Sequence, residues 1–167
     1  MPYFQGLIYT PNCAVCPLQN DIKVLPDGMV PCKIAIVGEA PSTTDKAKGR
    51  GFVDPAGDLL WLLAEQAGFK RDEVWATHAM LCMPRTIKLA SGAMLGETIV
   101  QQMAARHCRA RLLAELQYTG ANVIIPLGKW AMQAVTQIKD PKIYSYRGGV
   151  LEENLTLLSE AVQRGLI

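Results

Sequence analysis

The sequence predicts an α/β protein, a three-layer sandwich with a mainly parallel central sheet. Three short apolar runs, KIAIVG (33–38), EVWATHAML (73–81) and ANVIIPLG (121–128), read as strands buried on both faces. Stretches of helical period separate them, and the order strand, helix, strand, helix, strand, helix calls for parallel pairing with helices above and below. A length of 167 residues, 50% of them hydrophobic, suits one domain over 1–167 with a proper core.

Taken in order, residues 1–32 form an irregular arm broken by Pro2, Pro11, Pro17, Pro26 and Pro31. The strand KIAIVG then opens the α/β core, 33–167. A loop over 39–57 follows, far longer than most strand-to-helix connections. DLLWLLAEQAG (58–68) puts Leu59, Leu60, Leu62, Leu63 and Ala67 on a broad apolar helical face, with Gly68 as the stop. After the strand 73–81 and a second loop, MPRTIKLASGAMLG, the period of Ile99, Val100, Met103, Cys108, Leu112 and Leu116 predicts a helix over Glu97 to Gln117. The third strand leads into the short helix KWAMQAVTQI. Ligands of such sheets sit at the carboxyl ends of the strands, which here carry GEAPS, THAMLC and PLGKW.

Seventeen basic against fifteen acidic residues leave a charge of +2, too small for a broad nucleic-acid surface, so any DNA contact is local. MPYFQGLIYTPNC lacks the basic start and continuous apolar core of a signal peptide. No apolar run approaches the roughly 20 residues of a membrane span. A soluble cytoplasmic protein without a membrane partner is expected.

In that compartment the five cysteines are not expected to form structural disulfides. Cys13 and Cys16 form a CxxC in the arm, Cys82 follows the second strand, and Cys108 lies in the long helix. Thiolates gathered from separate places suit an iron–sulfur cluster better than zinc, whose sites more often come as two close pairs. The bland alternative is that free cysteines are small buried hydrophobes. Pinning a proline-rich arm to the sheet explains the CxxC, with Cys32 as the spare and His107 as a poor substitute ligand beside Cys108.

Together these pieces resemble the iron–sulfur uracil-DNA glycosylases of family 4, in the uracil-DNA glycosylase superfamily. GEAPSTTDKAKGRGFVDPAG is similar to that family's GEAPG followed by G-x-PFVG-x-AG, and CxxCPL, the two later cysteines and NVIIPLGKWA followed by YRG match in order and spacing. The resemblance covers nearly all of residues 12–149. It implies a uracil-DNA glycosylase-like α/β fold, DNA as partner, and hydrolysis of the bond joining uracil to deoxyribose. It also implies a [4Fe–4S] cluster held by Cys13, Cys16, Cys82 and Cys108. Carried over by position, Glu39 is the catalytic acid that orients water or offsets the sugar's positive charge, and Phe52 stacks on the extruded base. Backbone amides about Ala40 and Ser42 line the base pocket, Pro41 supplying no donor.

The chain departs from the family at three places. His78 stands where the family has a uracil-reading asparagine; a neutral imidazole offers one donor and one acceptor on opposite sides of its ring, so bidentate reading of uracil is not expected. His78 is therefore a candidate catalytic and base-binding residue of altered specificity. Ser42 replaces a glycine. The histidine-bearing loop that family members carry after the RG motif has no counterpart before the chain ends at Ile167, so the core is expected to be shortened at its C-terminus, replaced there by a helix over 152–165, or completed by a protein partner.

Lys46, Lys48, Arg50, Arg85 and Lys88 lie in the two long loops, where they are placed to neutralise phosphates. Arg106, Arg109 and Arg111 on the long helix read as solvated or cluster-adjacent. Two functions fit: an iron–sulfur DNA glycosylase acting on uracil or another deaminated base, and a catalytically degenerate relative serving as a DNA-binding or protein-interaction subunit.

Overall fold

The structure is a computed structural model and describes residues 11–151. The strands are β1 (Asp27–Gly28), β2 (Ile34–Gly38), β3 (Trp75–His78), β4 (Ile87–Lys88), β5 (Met94–Leu95) and β6 (Val123–Pro126). The α-helices are α1 (Thr43–Lys48), α2 (Pro55–Gln66), α3 (Glu97–Thr119), α4 (Lys129–Thr136) and α5 (Ile143–Tyr146). Four strands form the central sheet in the order β1-β3-β2-β6, while β4 and β5 make a small hairpin in the second loop. β2 pairs in parallel with both β3 and β6, and only β1 runs antiparallel.

The two faces of the sheet follow from the period of two along each strand. Ala35 and Val37 of β2 and Trp75 of β3 pack with Leu112 and Leu116 of α3 and Ala131 and Val135 of α4. The intervening Ile36 and Ala76 pack the other way, with Phe52, Val74, Leu60, Trp61 and Phe69. α3 and α4 thus cover one face and α2 the other, as a mainly parallel sheet requires.

Several expectations need correction. The arm is not wholly irregular: Pro11–Val15 forms a 3-10 turn, and β1 adds an edge strand beside β3. The loop over 39–57 contains α1, because Ser42 and Asp45 form a reciprocal capping box and Gly49 ends the helix at φ 66°. The sequence signal was there, serine followed three residues later by an acid. α2 begins at Pro55 rather than Asp58, since Asp54 caps it through Gly57 N–H (2.8 Å) and proline is pre-organised for the first turn. The helix expected over 152–165 lies outside the described residues.

Arg111 is not solvated: its side chain is only 3% exposed. It pairs with the fully buried Glu115 one turn on, while Trp75 Nε1 donates to Glu115 Oε1 at 2.6 Å. Arg111 also donates to Thr77 Oγ1 (3.2 Å) and to the carbonyls of His78 (2.7 Å) and Ala79 (3.1 Å). α3 therefore grips the last turn of β3 from behind. Arg109 donates to the Ala134 carbonyl at 3.1 Å and ties α3 to α4. Among the described residues no helix is long and apolar enough to cross a membrane.

Candidate active site

The carboxyl ends of β2 and β3 lie side by side, with Gly38 opposite His78 in the parallel register. The chain leaves β2 through Glu39, whose half-buried carboxylate accepts the Trp130 N–H at 3.0 Å. That amide is in the first turn of α4, where unpaired N–H groups favour negative charge. Gly128, at φ 98°, makes the approach feasible: a Cβ there would sit 2.5 Å from Glu39 Oε1. Glu39 is thus fixed by the third strand-end loop, PLGKW.

Beyond Glu39 the loop is closed by Asp45. Its carboxylate accepts from Ser42 N (3.0 Å) and from Val53 N (2.8 Å), fastening both ends of the excursion. Burial works against ionising Asp45, but the Val53 and Ser42 donors outweigh it and hold the carboxyl below the usual carboxylate range. The Ser42 amide and hydroxyl are both consumed in the α1 cap. The amide expected there to line the base pocket is engaged elsewhere, and Ser42 is not among the cavity-lining residues.

Phe52 has a left-handed backbone, φ 56°, rare for a bulky residue. Its carbonyl offsets the strain by accepting from Trp61 Nε1 (3.0 Å) and Arg71 (3.1 Å), and Arg71 also donates to the Gly51 carbonyl at 2.7 Å. Gly57 is required beneath it, because a Cβ would meet the Phe52 carbonyl at 2.3 Å. Glu39, Ala40, Phe52 and His78 surround one cavity of about 200 Å³, completed by Leu60 and Leu127 and by the carboxylates of Asp45 and Asp54. The sequence did not single out Asp45, Asp54 or Leu127 as lining residues.

His78 stacks on Phe52, with ring centroids 4.4 Å apart and planes 11° from parallel. Trp61 meets Phe52 edge-on at 6.0 Å. Such an aromatic pair contributes about 0.5–1.5 kcal/mol beyond its buried area. The imidazole is nested between two glycines: a Cβ on Gly38 or on Gly51 would each come within 2.7 Å of the ring. Burial pushes the His78 pKa down to about 4, against the pull of Asp45, so the ring is neutral at physiological pH.

Three of the cysteines lie in a cluster separate from the one around Phe52. Cys16 and Cys82 are buried in one cluster with Leu18, Met80, Val100 and Ala104, and Cys108 packs against it. Cys13 adjoins them through its carbonyl, which accepts the Cys16 N–H at 3.1 Å. The Leu18 N–H approaches Cys16 Sγ at 3.5 Å. Burial pushes the Cys82 thiol up to about 12 and raises that of Cys16. No disulfide forms among the described residues. The donors are of one soft type and three of them share one cluster, but among the described residues no group of three or more His, Cys, Asp or Glu closes around a common point. Cys32 belongs to the separate α3 and α4 core.

The loop cations mostly serve the arm. Lys46 (2.5 Å) and Arg85 (3.2 Å) pair with Asp21; Arg50 (2.5 Å) and Arg71 (3.3 Å) pair with Asp27. Lys48 donates to the Val53 carbonyl. Apart from Lys48, whose bond stays within the pocket loop, these cations stitch arm to core.

A largely parallel sheet covered by helices, with an acid and an aromatic pair at a strand-end crevice, defines an α/β protein of the class whose ligands sit at the strand ends. The profile of the uracil DNA glycosylase superfamily matches residues 26–162, and the chain belongs to that superfamily. It is 29% identical to a type-4 uracil-DNA glycosylase of Thermotoga maritima over 143 residues, 84% of this chain and 69% of that one. A type-4 uracil-DNA glycosylase of Archaeoglobus fulgidus is 28% identical over 131 residues, 77% of this chain and 61% of the relative. That of Pyrobaculum aerophilum is 37% identical over 75 residues, 44% of this chain and 38% of its own length.

Proposed function

We propose that the chain is an iron–sulfur DNA glycosylase-like protein that hydrolyses the N-glycosidic bond of uracil or another deaminated base in DNA. The observation that carries this is the meeting of Glu39, Ala40, Phe52 and His78 around one acidic cavity at the ends of β2 and β3, in a member of the superfamily. As the bond from sugar to base breaks, its electron pair leaves with the base and positive charge develops on the sugar. A water molecule then forms the new bond to the sugar carbon, and its proton passes through solvent to the departed base, which is released neutral. Glu39, held by Trp130 N–H, offsets that charge and orients the water, with Asp45 and Asp54 adding to the negative field. Phe52 supplies a stacking face, worth about 1–3 kcal/mol for a base.

Cys13, Cys16, Cys82 and Cys108 would hold the [4Fe–4S] cluster. Their single donor type, the common cluster of Cys16, Cys82 and Cys108 and the N–H directed at Cys16 Sγ support this. When bound, the cluster supplies a cross-link between the arm, the end of β3 and α3. Anaerobically purified protein is expected to be brown, with broad absorbance near about 400 nm and about four irons with acid-labile sulfide per chain. Colourless protein with a single tightly held zinc rejects the cluster.

A second reading, a relative that binds DNA or a protein without cleavage, is favoured by the His78 ring lying on Phe52. A panel of single-stranded and mismatched oligonucleotides carrying uracil, hypoxanthine or xanthine separates the two. Release of free base with alkali-labile sites is expected, and Glu39→Gln is expected to slow it by about 10²–10³. DNA binding with no abasic product selects the second reading, and an unchanged rate in Glu39→Gln removes Glu39 from the chemistry.

A further inference from the structure

We propose that His78 is a gate: its imidazole lies on the face of Phe52 that an extruded base would use, and a base enters by displacing that ring. This rests on the assignment of the cavity to a nucleobase. The near-parallel stack of the two rings is the arrangement a bound base would adopt, made instead by the chain's own side chain.

The slot is built for a ring. Gly38 and Gly51 press on the imidazole from its edge, each so close that a methyl group would collide with it. Phe52 is in turn locked by the donors to its carbonyl and by Gly57, so the stacking platform stays put when its partner changes.

The attachment of His78 is divided. Its main chain is clamped, the carbonyl accepting from Arg111 at 2.7 Å. Its side chain is not: among the described residues neither imidazole nitrogen has a hydrogen-bond partner, so packing and stacking alone hold the ring. A base brings the same stacking, together with carbonyl and N–H edges that the imidazole leaves unused. The exchange is therefore a rotation of one side chain on a fixed backbone. Because the closed form withholds the stacking face, apparent affinity is reduced by the fraction of molecules that are closed.

The test uses the full chain and a single-stranded oligonucleotide carrying one 2′-fluoro-2′-deoxyuridine, which resists hydrolysis, against the same strand with thymidine. In proton NMR the ring signals of His78, told from those of His107 with a His107→Gln variant, are expected upfield in the free protein. Saturation with the uracil strand moves them to ordinary positions. His78→Gly is expected to bind that strand about tenfold more tightly, and free imidazole is expected to raise the variant's melting temperature by refilling the slot. If the uracil strand binds in preference to thymidine while the His78 signals stay upfield and His78→Gly gains nothing, the gate is overturned and the base pocket stands. If neither protein prefers the uracil strand, the base-pocket assignment falls and the gate with it. Should His78→Gly fail to fold, the signals of the native protein decide alone.

Discussion

The pocket loop, residues 39–57, and the arm, residues 11–32, both flank the parallel strands, yet they are fastened in different proportions by hydrogen bonds and ion pairs. The loop is closed by directional hydrogen bonds: the amides of Ser42 and Val53 to buried Asp45, Trp130 N–H to Glu39, and Arg71 to the carbonyls of Gly51 and Phe52. Behind it, Arg111 holds the end of β3. The arm is tied by the short β1 pairing and a few backbone hydrogen bonds such as Val24 N–H to the Leu81 carbonyl, and otherwise by ion pairs from Asp21 and Asp27 and by packed cysteines. Buried hydrogen bonds fix geometry and are costly to break, whereas ion pairs whose cation reaches solvent are individually weaker and partly screened by salt. The pocket is thus the rigid region, and the arm the one whose attachment answers to solution conditions.

The sharpest way to break the contrast is at the buried pair. Arg111→Met leaves Glu115 buried without its cation and is expected to cost about 3–5 kcal/mol in urea unfolding. A loss below about 1 kcal/mol would mean that the strand end does not depend on α3.

Next in size is the pH response of position 78. Between pH 6.5 and about 4 the unfolded chain takes up the His78 proton and the folded chain does not, so stability falls as the pH drops across that window. Asp45 and Asp54 favour the imidazolium and Arg111 opposes it, but burial dominates. The full loss is about 3 kcal/mol. Comparing native protein with His78→Asn at pH 7 and at pH 4.5 isolates it, since the variant lacks this slope and keeps that of Asp45. Equal slopes would show that the ring is solvated.

The smallest effect belongs to the arm. Asp21→Asn removes the partner of Lys46 and Arg85 and is expected to cost about 0.5–1 kcal/mol, an amount that shrinks in high salt. Burial opposes ionisation of Asp21, yet the Lys46 contact and its companions keep its carboxyl below the ordinary range. Faster proteolysis within residues 11–32 as salt rises checks the same point in the native chain. A salt-independent arm would erase the distinction between the two regions.

What was legible in the sequence was set by short-range pattern. The continuous apolar runs IAIVG and VIIP read as strands, but only the first is buried along nearly its whole length, β6 being half-buried with Val123 exposed, and the period in α3 located that helix to within its last turn. Arg111 was misread because an arginine followed four residues later by a glutamate looks the same on a solvated face as in a core. Only the path of β3 across α3 shows which it is. The loop's outline was visible through Glu39 and Phe52, but the stack of Phe52 on His78 joins residues brought together by a left-handed turn and a strand register that no local spacing records. The cysteines were noticed as a set, and three of them do share one cluster.

The glycines at 38 and 51 also bear on how this pocket can change over generations. Positions 38, 51 and 78 divide one fixed volume, so carbon added at either of the first two is tolerated only when the third shrinks. Substitutions there are epistatic, and a lineage that trades the imidazole for another side chain must alter its neighbours in step.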